Sequence, residues 1–232
     1  MSLKILCLHG YTQSGVSFRS RTGPLRRSLG RHITWVYATA PHAAATTFDG
    51  QSQQSTEESS SSNERPSAWW NMHGGNDAQR VWADVEQSVK ALQQIAREQG
   101  PFDGILGFSQ GAGMAAILLA LAQQKNAAAA GELPVFRFAV LISGFFPQMP
   151  EFEEALGGGS SSSSDDDDKR LHVPSLHVLG AADAVVPQSR GEELARRAFD
   201  GAEVRVHEGG HYVPANAEWR RVYKEFIEKS TV

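Results

Sequence analysis

Residues 107 to 111 read Gly-Phe-Ser-Gln-Gly, a serine with glycine two positions away on each side. A serine hydroxyl is a weak nucleophile unless a neighbouring base takes its proton and the backbone exposes its oxygen. A sharp strand-to-helix turn exposes it, and such a turn leaves no room for side chains at the two flanking positions. The pattern alone is common, so the flanks decide. The apolar run FDGILGF (102–108) precedes the serine as a buried strand would, and GAGMAAILLALAQQ (111–124) follows as a small-residue helix. Ser109 therefore reads as the nucleophile at a strand-to-helix elbow.

The partners of such a serine follow in the order acid, then histidine, each just past a strand. PSLHVLGAAD (174–183) is a short apolar strand running into Asp183. AEVRVHEGG (202–210) is an alternating strand and glycine turn that delivers His211. In this scheme His211 is the base and Asp183 orients its ring. The developing oxyanion needs donors, and the backbone N–H groups of Gln110, after the nucleophile, and Tyr11, after the His9-Gly10 turn of KILCLHGY, are placed to supply them. Both act through the main chain, so their side chains are expected to be replaceable. His9 is read as a residue that stabilises its turn.

The elements that must hold these groups alternate strand and helix. Strands are expected near 4–8, 34–37, 104–108, 138–142, 176–179 and 204–207, and helices near 24–29, 78–98, 110–124, 191–198 and 218–229. Strands this apolar on both faces predict an α/β fold with a mostly parallel central sheet and helices on each side. Asp77 is a candidate cap for the long helix that carries Val81, Val85, Val89 and Leu92 on one stripe.

With these motifs in place the chain resembles a family of fungal and animal serine hydrolases, which includes the ovarian cancer-associated hydrolase and the yeast family of serine hydrolases. The resemblance is carried by LCLHGYTQSG (6–15), AWW (68–70), GPFDGILGFSQGA (100–112), ISGFFP (142–147), PSLHVLGAADAVVP (174–187) and GGHYVP (209–214). It implies an α/β-hydrolase with a Ser-His-Asp triad acting on carboxylic esters or thioesters. Members also serve as product-releasing thioesterases in fungal polyketide pathways, which keeps open an acyl carrier domain as a partner. A non-catalytic small-molecule binding protein on the same fold is the alternative from another class.

Composition sets outer bounds. The chain has 232 residues, 41% of them apolar, and is expected to form one domain over 1–232. A formal charge of −4 gives no basic footprint for nucleic acid. The single cysteine, Cys7, sits in the first strand and permits no intrachain disulfide; it reads as a small buried apolar residue. With neither a leader pattern nor a membrane-length apolar run, the expected location is cytoplasmic. Neither a cofactor nor a metal is called for.

Three tracts interrupt the rhythm, at 42–67, 126–133 and 157–170, too polar or too small-sided to order themselves. The last ends in DDDDK, the pattern of an enterokinase-type cleavage site; an engineered linker and a natural insert fit it equally. Its aspartates read as solvated, not metal-binding. Trp69, Trp70, Phe145, Phe146 and Tyr212 lie in irregular segments or past strand ends, where they are candidates to line an apolar acyl pocket. His73, Gly74 and Gly75 are candidates for a mobile wall.

Overall fold

The computed structural model describes residues 2–45, 65–72, 77–124, 133–157 and 170–231. In chain order the first elements are β1 (Leu3–Leu8), α1 (Gly15–Arg21), α2 (Gly23–Ser28), β2 (Ile33–Ala38), β3 (His42–Ala43), β4 (Ser67–Ala68) and α3 (Ala78–Gln99). Then follow β5 (Gly104–Phe108), α4 (Gln110–Gln123), β6 (Phe138–Ile142), α5 (Pro150–Ala155), β7 (Ser175–Gly180), α6 (Gln188–Ala198), β8 (Glu203–His207) and α7 (Ala217–Ser230).

Six strands form a sheet in the order β2-β1-β5-β6-β7-β8, and every pairing in it is parallel. Alternation along the strands divides the core. Leu6, Leu8, Ile105 and Leu141 face α3, α4, α5 and α6 on one side. Ile5, Cys7, Leu106 and Val140 face Phe18 of α1, Leu25 of α2 and Trp219 and Tyr223 of α7 on the other. Parallel strands covered on both faces can be apolar at every position, and β5, β6 and β7 are buried along their whole length. Helix α4 is buried at each residue from Gln110 to Ala120, so an all-round apolar helix suits its position.

From β1 the chain winds outward to β2, then returns to the other side of β1 at β5 and winds the opposite way. The strand order reverses between β1 and β5. The carboxyl ends of those two strands diverge there and leave a crevice, the usual ligand position in open α/β sheets. His9 to Tyr11 follow β1 and Ser109 follows β5, so the topology brings both to that crevice.

The six strands and five helices read from the sequence are present, with α6 beginning at Gln188 instead of Gly191. Asp77 caps α3 as expected, accepting the Arg80 N–H at 3.2 Å. Helices α1 and α5 and the β3–β4 pair were not anticipated. Helix α1 opens with a reciprocal pair in which Ser14 accepts the Ser17 N–H and the Ser17 hydroxyl accepts the Ser14 N–H. Serine fills the position where a sequence cue looks for Glu or Gln. The 42–67 tract is corrected at both ends, since His42–Ala43 pairs antiparallel with Ser67–Ala68. Residues 46–64 of that tract, 125–132 and 158–169 lie outside the described residues.

Candidate active site

Strand β5 ends at Phe108 and α4 begins at Gln110, leaving Ser109 alone to turn the chain, at φ 53° and ψ −119°. A side chain in that backbone region is strained, a cost of order 1–3 kcal/mol that persists only where the surroundings enforce it. Here they do. The Ser109 N–H donates to Ile142 O at 2.9 Å, and its carbonyl accepts Ala112 N–H at 2.9 Å and Gly113 N–H at 3.2 Å. A Cβ on Gly107 would lie 2.4 Å from Gly111 O, and one on Gly111 would lie 2.2 Å from Leu8 O. Both glycines are therefore required for β5, α4 and the end of β1 to approach so closely. Among the described residues the N–H of Gln110, first in its helix, has no acceptor.

The acid and the histidine come from adjacent strands. Past β7, Asp183 Oδ1 accepts the N–H groups of Val185 at 2.9 Å and Val186 at 2.8 Å, and Oδ2 lies 2.7 Å from His211 Nδ1. Its side chain is fully buried. Burial alone would raise the Asp183 pKa, but the hydrogen bonds from Val186, His211 and Val185, with the attraction of His211, outweigh it and hold the carboxyl below its ordinary value. An ionised Asp183 accepts from Nδ1–H, which leaves Nε2 as the basic nitrogen of a neutral His211 ring. That ring lies 4.8 Å, centroid to centroid, from Phe108, the residue before Ser109.

The turn after β1 closes the third side. A Cβ on Gly10 would sit 3.4 Å from Ser109 Cβ, so this backbone passes directly beside Ser109. The Gly10 N–H donates to Gln13 Oε1, the Thr12 N–H to Ser67 O and the Gln13 N–H to Gly10 O, which excludes these three as oxyanion donors. His9 holds its turn as anticipated. Its Nε2 accepts the Ala40 N–H at 3.0 Å, so Nδ1 carries the proton and donates to Gly10 O at 2.7 Å.

The structure gives the Gln110 side chain a buried role beyond the main-chain one expected of it. Gln110 Oε1 accepts the Trp69 N–H at 2.9 Å and its Nε2 donates to Trp70 O at 2.7 Å, both buried. One amide thus clamps the AWW segment to the start of α4. Ser88 of α3 adds a third tie, donating to Trp69 O at 2.5 Å. The Tyr11 hydroxyl donates to Ala45 O at 2.9 Å.

The aromatic candidates separate into two groups. Trp69 and Phe146 are core residues, contrary to the pocket assignment. Trp69 donates its indole N–H to His9 O at 2.8 Å and packs on the His9 ring, while Phe146 lies between Phe152 and the Arg197 guanidinium. Trp70 and the half-buried Phe145 meet edge to face at 6.2 Å over Gly113, one turn beyond Ser109. Tyr212 is half exposed beside His211. His73, Gly74 and Gly75 lie outside the described residues. Cys7 is fully buried, and burial pushes its thiol pKa far up, which suits the apolar reading. Among the described residues no three His, Cys, Asp or Glu side chains gather where they could hold a metal ion.

Comparison with known proteins agrees with this geometry. The model of the family described as "Serine hydrolase (FSH1)" matches residues 1–223. The chain is 36% identical to Esterase OVCA2 of Danio rerio over 98% of this chain and 97% of that one. It is 34% identical to Esterase OVCA2 of Homo sapiens, over 98% and 96%. Among solved structures, acyl-protein thioesterase 2 of Zea mays superposes with a TM-score of 0.69 at 21% identity, covering 99% of this chain and 94% of that one, a likeness of fold. An α/β-hydrolase sheet with a strained serine at its elbow, and a family match along nearly its whole length, together show that the chain belongs to the FSH1 family of serine hydrolases.

Proposed function

We propose that the chain cleaves carboxylic esters or thioesters bearing an apolar acyl group, through an acyl intermediate on Ser109. The observation that carries this reading is the 2.7 Å pair between His211 Nδ1 and Asp183 Oδ2, in loops set beside the strained elbow. His211 Nε2 takes the Ser109 proton as Oγ bonds to the carbonyl carbon, then gives it to the departing alcohol or thiol. Water repeats the sequence on the acyl-enzyme, with His211 again as base, and frees the acid. Asp183 stays ionised throughout and stabilises the imidazolium. To the N–H groups of Gln110 and Tyr11 we assign the oxyanion, each such donor being worth about 3 kcal/mol.

Apolar substrate preference rests on what surrounds the elbow. Trp70 and Phe145 meet over α4, and Val185 and Tyr212 are exposed in the segments that carry Asp183 and His211. These side chains favour an acyl chain over a sugar or a phosphate ester. Among the described residues no helix is long and apolar enough to cross a membrane. The buried lone thiol suits a reducing setting, and we place the reaction in the cytoplasm.

A fluorophosphonate probe on the wild type and on Ser109→Ala, with the adduct located by peptide mapping, tests the nucleophile. Labelling confined to Ser109 is the expected result, and an unlabelled folded wild type overturns the proposal in favour of a binding protein. Turnover on p-nitrophenyl esters of increasing chain length, compared with acyl thioesters on a carrier domain, then fixes the leaving group. Preference for the carrier-bound chain would make the carrier a partner.

A further inference from the structure

Two histidines lie within five residues at the end of β8, and the proposed mechanism uses only His211. His207, the last residue of the strand, is 5% exposed, and the rings of Tyr212 and Trp219 stand 4.9 and 5.6 Å from its own. Its Nδ1 lies 3.1 Å from the Gly209 nitrogen, which donates to it. An N–H donor facing Nδ1 requires a lone pair there, so the ring is neutral and carries its proton on Nε2. That Nε2 is buried with no partner among the described residues, so the ring's one hydrogen bond here is the one to Gly209.

Gly209 ties together the loops that carry His211 and Asp183. Its carbonyl accepts the Ala182 N–H at 3.1 Å, and the His207 carbonyl accepts the Ala181 N–H at 2.8 Å. These bonds join the turn that carries His211 to the loop that carries Asp183. The two loops lie so close that a Cβ on Gly180 would stand 2.6 Å from Gly209 O. Gly209 is thus held at its oxygen by the acid loop and at its nitrogen by His207.

We propose that His207 is a positioning residue for His211: as a neutral acceptor it fixes the Gly209 N–H, and with it the glycine turn that presents His211 to Asp183. Protonation of Nδ1 sets a donor against a donor and releases that turn. The groups facing His207 pull in both directions. Burial lowers its pKa most, while the Asp183 and Glu208 carboxylates raise it, and Tyr212 and Trp219 bring no charge; the balance lies below the ordinary imidazole value. The neutral, turn-holding form therefore persists through neutral pH and fails on acidification. This inference rests on the reading of His211 as the base.

Two substitutions separate acceptor from ring. In His207→Asn the side-chain oxygen occupies the place of Nδ1 and accepts from the N–H two residues on, the geometry of an Asx turn. In His207→Phe the ring remains and the acceptor is lost. On a p-nitrophenyl ester at neutral pH, the Phe variant is expected to lose about 10- to 100-fold in kcat, the effect of a small misplacement of a reacting group, with KM little changed. The Asn variant should keep most of its kcat. Its acid limb should follow a single proton, where the wild type steepens towards two. A Phe variant with wild-type kcat and pH profile, or Asn and Phe variants equally impaired, overturns the proposal. Nitrogen-15 NMR of wild-type His207 provides a check independent of either variant's folding: the Nε2–H tautomer supports it, and the Nδ1–H tautomer overturns it. An inactive, unlabelled wild type points instead to failure of the His211 assignment itself.

Discussion

At the scale of single residues, the site depends on side chains that fix backbone as much as on those that react. Ser109→Ala removes the nucleophile without touching the hydrogen bonds of its main chain, so turnover should fall by about 10⁶-fold while the melting temperature holds. Steady-state kinetics and thermal unfolding on the same preparation check both halves, and an active variant sinks the assignment. Gln110→Ala should behave differently. It leaves the Trp69 N–H and Trp70 C=O buried without their partners, at a cost of about 1–3 kcal/mol for each such group. The urea midpoint should drop, and esters with longer acyl chains should lose more turnover than acetate esters, because the freed segment carries Trp70. Unchanged stability would mean that water replaces the amide at no cost. The residues proposed to react could be picked out in the sequence because chemistry fixes their types and order. The roles of Gln110 and His207 could not, because a side chain that bonds a distant or turned-back main-chain group leaves no periodic trace.

At the scale of elements, the sequence showed what packing dictates and missed what local hydrogen bonding decides. The six strands of the sheet and the longer helices were found because strand runs and helical stripes bury area, and burial writes a period into the residues. Helices α1 and α5, of seven and six residues, were missed, as the equally short α2 was not: α1 is set by its Ser14–Ser17 cap and α5 by Pro150 at a first turn. The β3–β4 pair is two residues on each side and was hidden in a tract of low complexity. For the same reason Trp69 and Phe146 were misplaced: exposure is a property of how loops return over the core, which composition does not encode. Where elements meet, the tolerances are smallest. Gly111→Ala places a carbon 2.2 Å from Leu8 O, so α4 must move off β1, at about 3 kcal/mol or more. Calorimetry should show the loss, and fluorophosphonate labelling should slow even where the variant stays folded. Ordinary labelling with full stability would contradict the tight elbow.

At the scale of the whole molecule, buried titratable groups bound the pH range in which the fold is stable. His177 on β7 packs edge-on against Phe199, its Nε2 has no partner among the described residues, and burial pushes its pKa down to about 3. In the unfolded chain the same ring titrates near the ordinary value of about 6.5. Between those values the unfolded state binds the extra proton, so stability is full above the upper one and falls as pH drops, by about 1.4 kcal/mol per pH unit. Asp183 and His207, both shifted downward, act in the same direction. Tyr223 acts in the opposite one. Burial raises its pKa far above the usual phenol value, and its hydroxyl has no partner among the described residues. The folded state keeps that proton while the unfolded chain loses it, so stability present below about pH 10 is lost as pH rises further. Two substitutions should therefore flatten opposite limbs of the stability curve. His177→Leu should remove the steepest part of the acid limb, and Tyr223→Phe should weaken the alkaline limb while adding about 1 kcal/mol at neutral pH by removing an unsatisfied hydroxyl. Urea unfolding of both variants from pH 4 to pH 11 measures the slopes. An acid limb unchanged in His177→Leu would shift the cause to the carboxylates, and a destabilised Tyr223→Phe would mean that the hydroxyl has a water partner in solution.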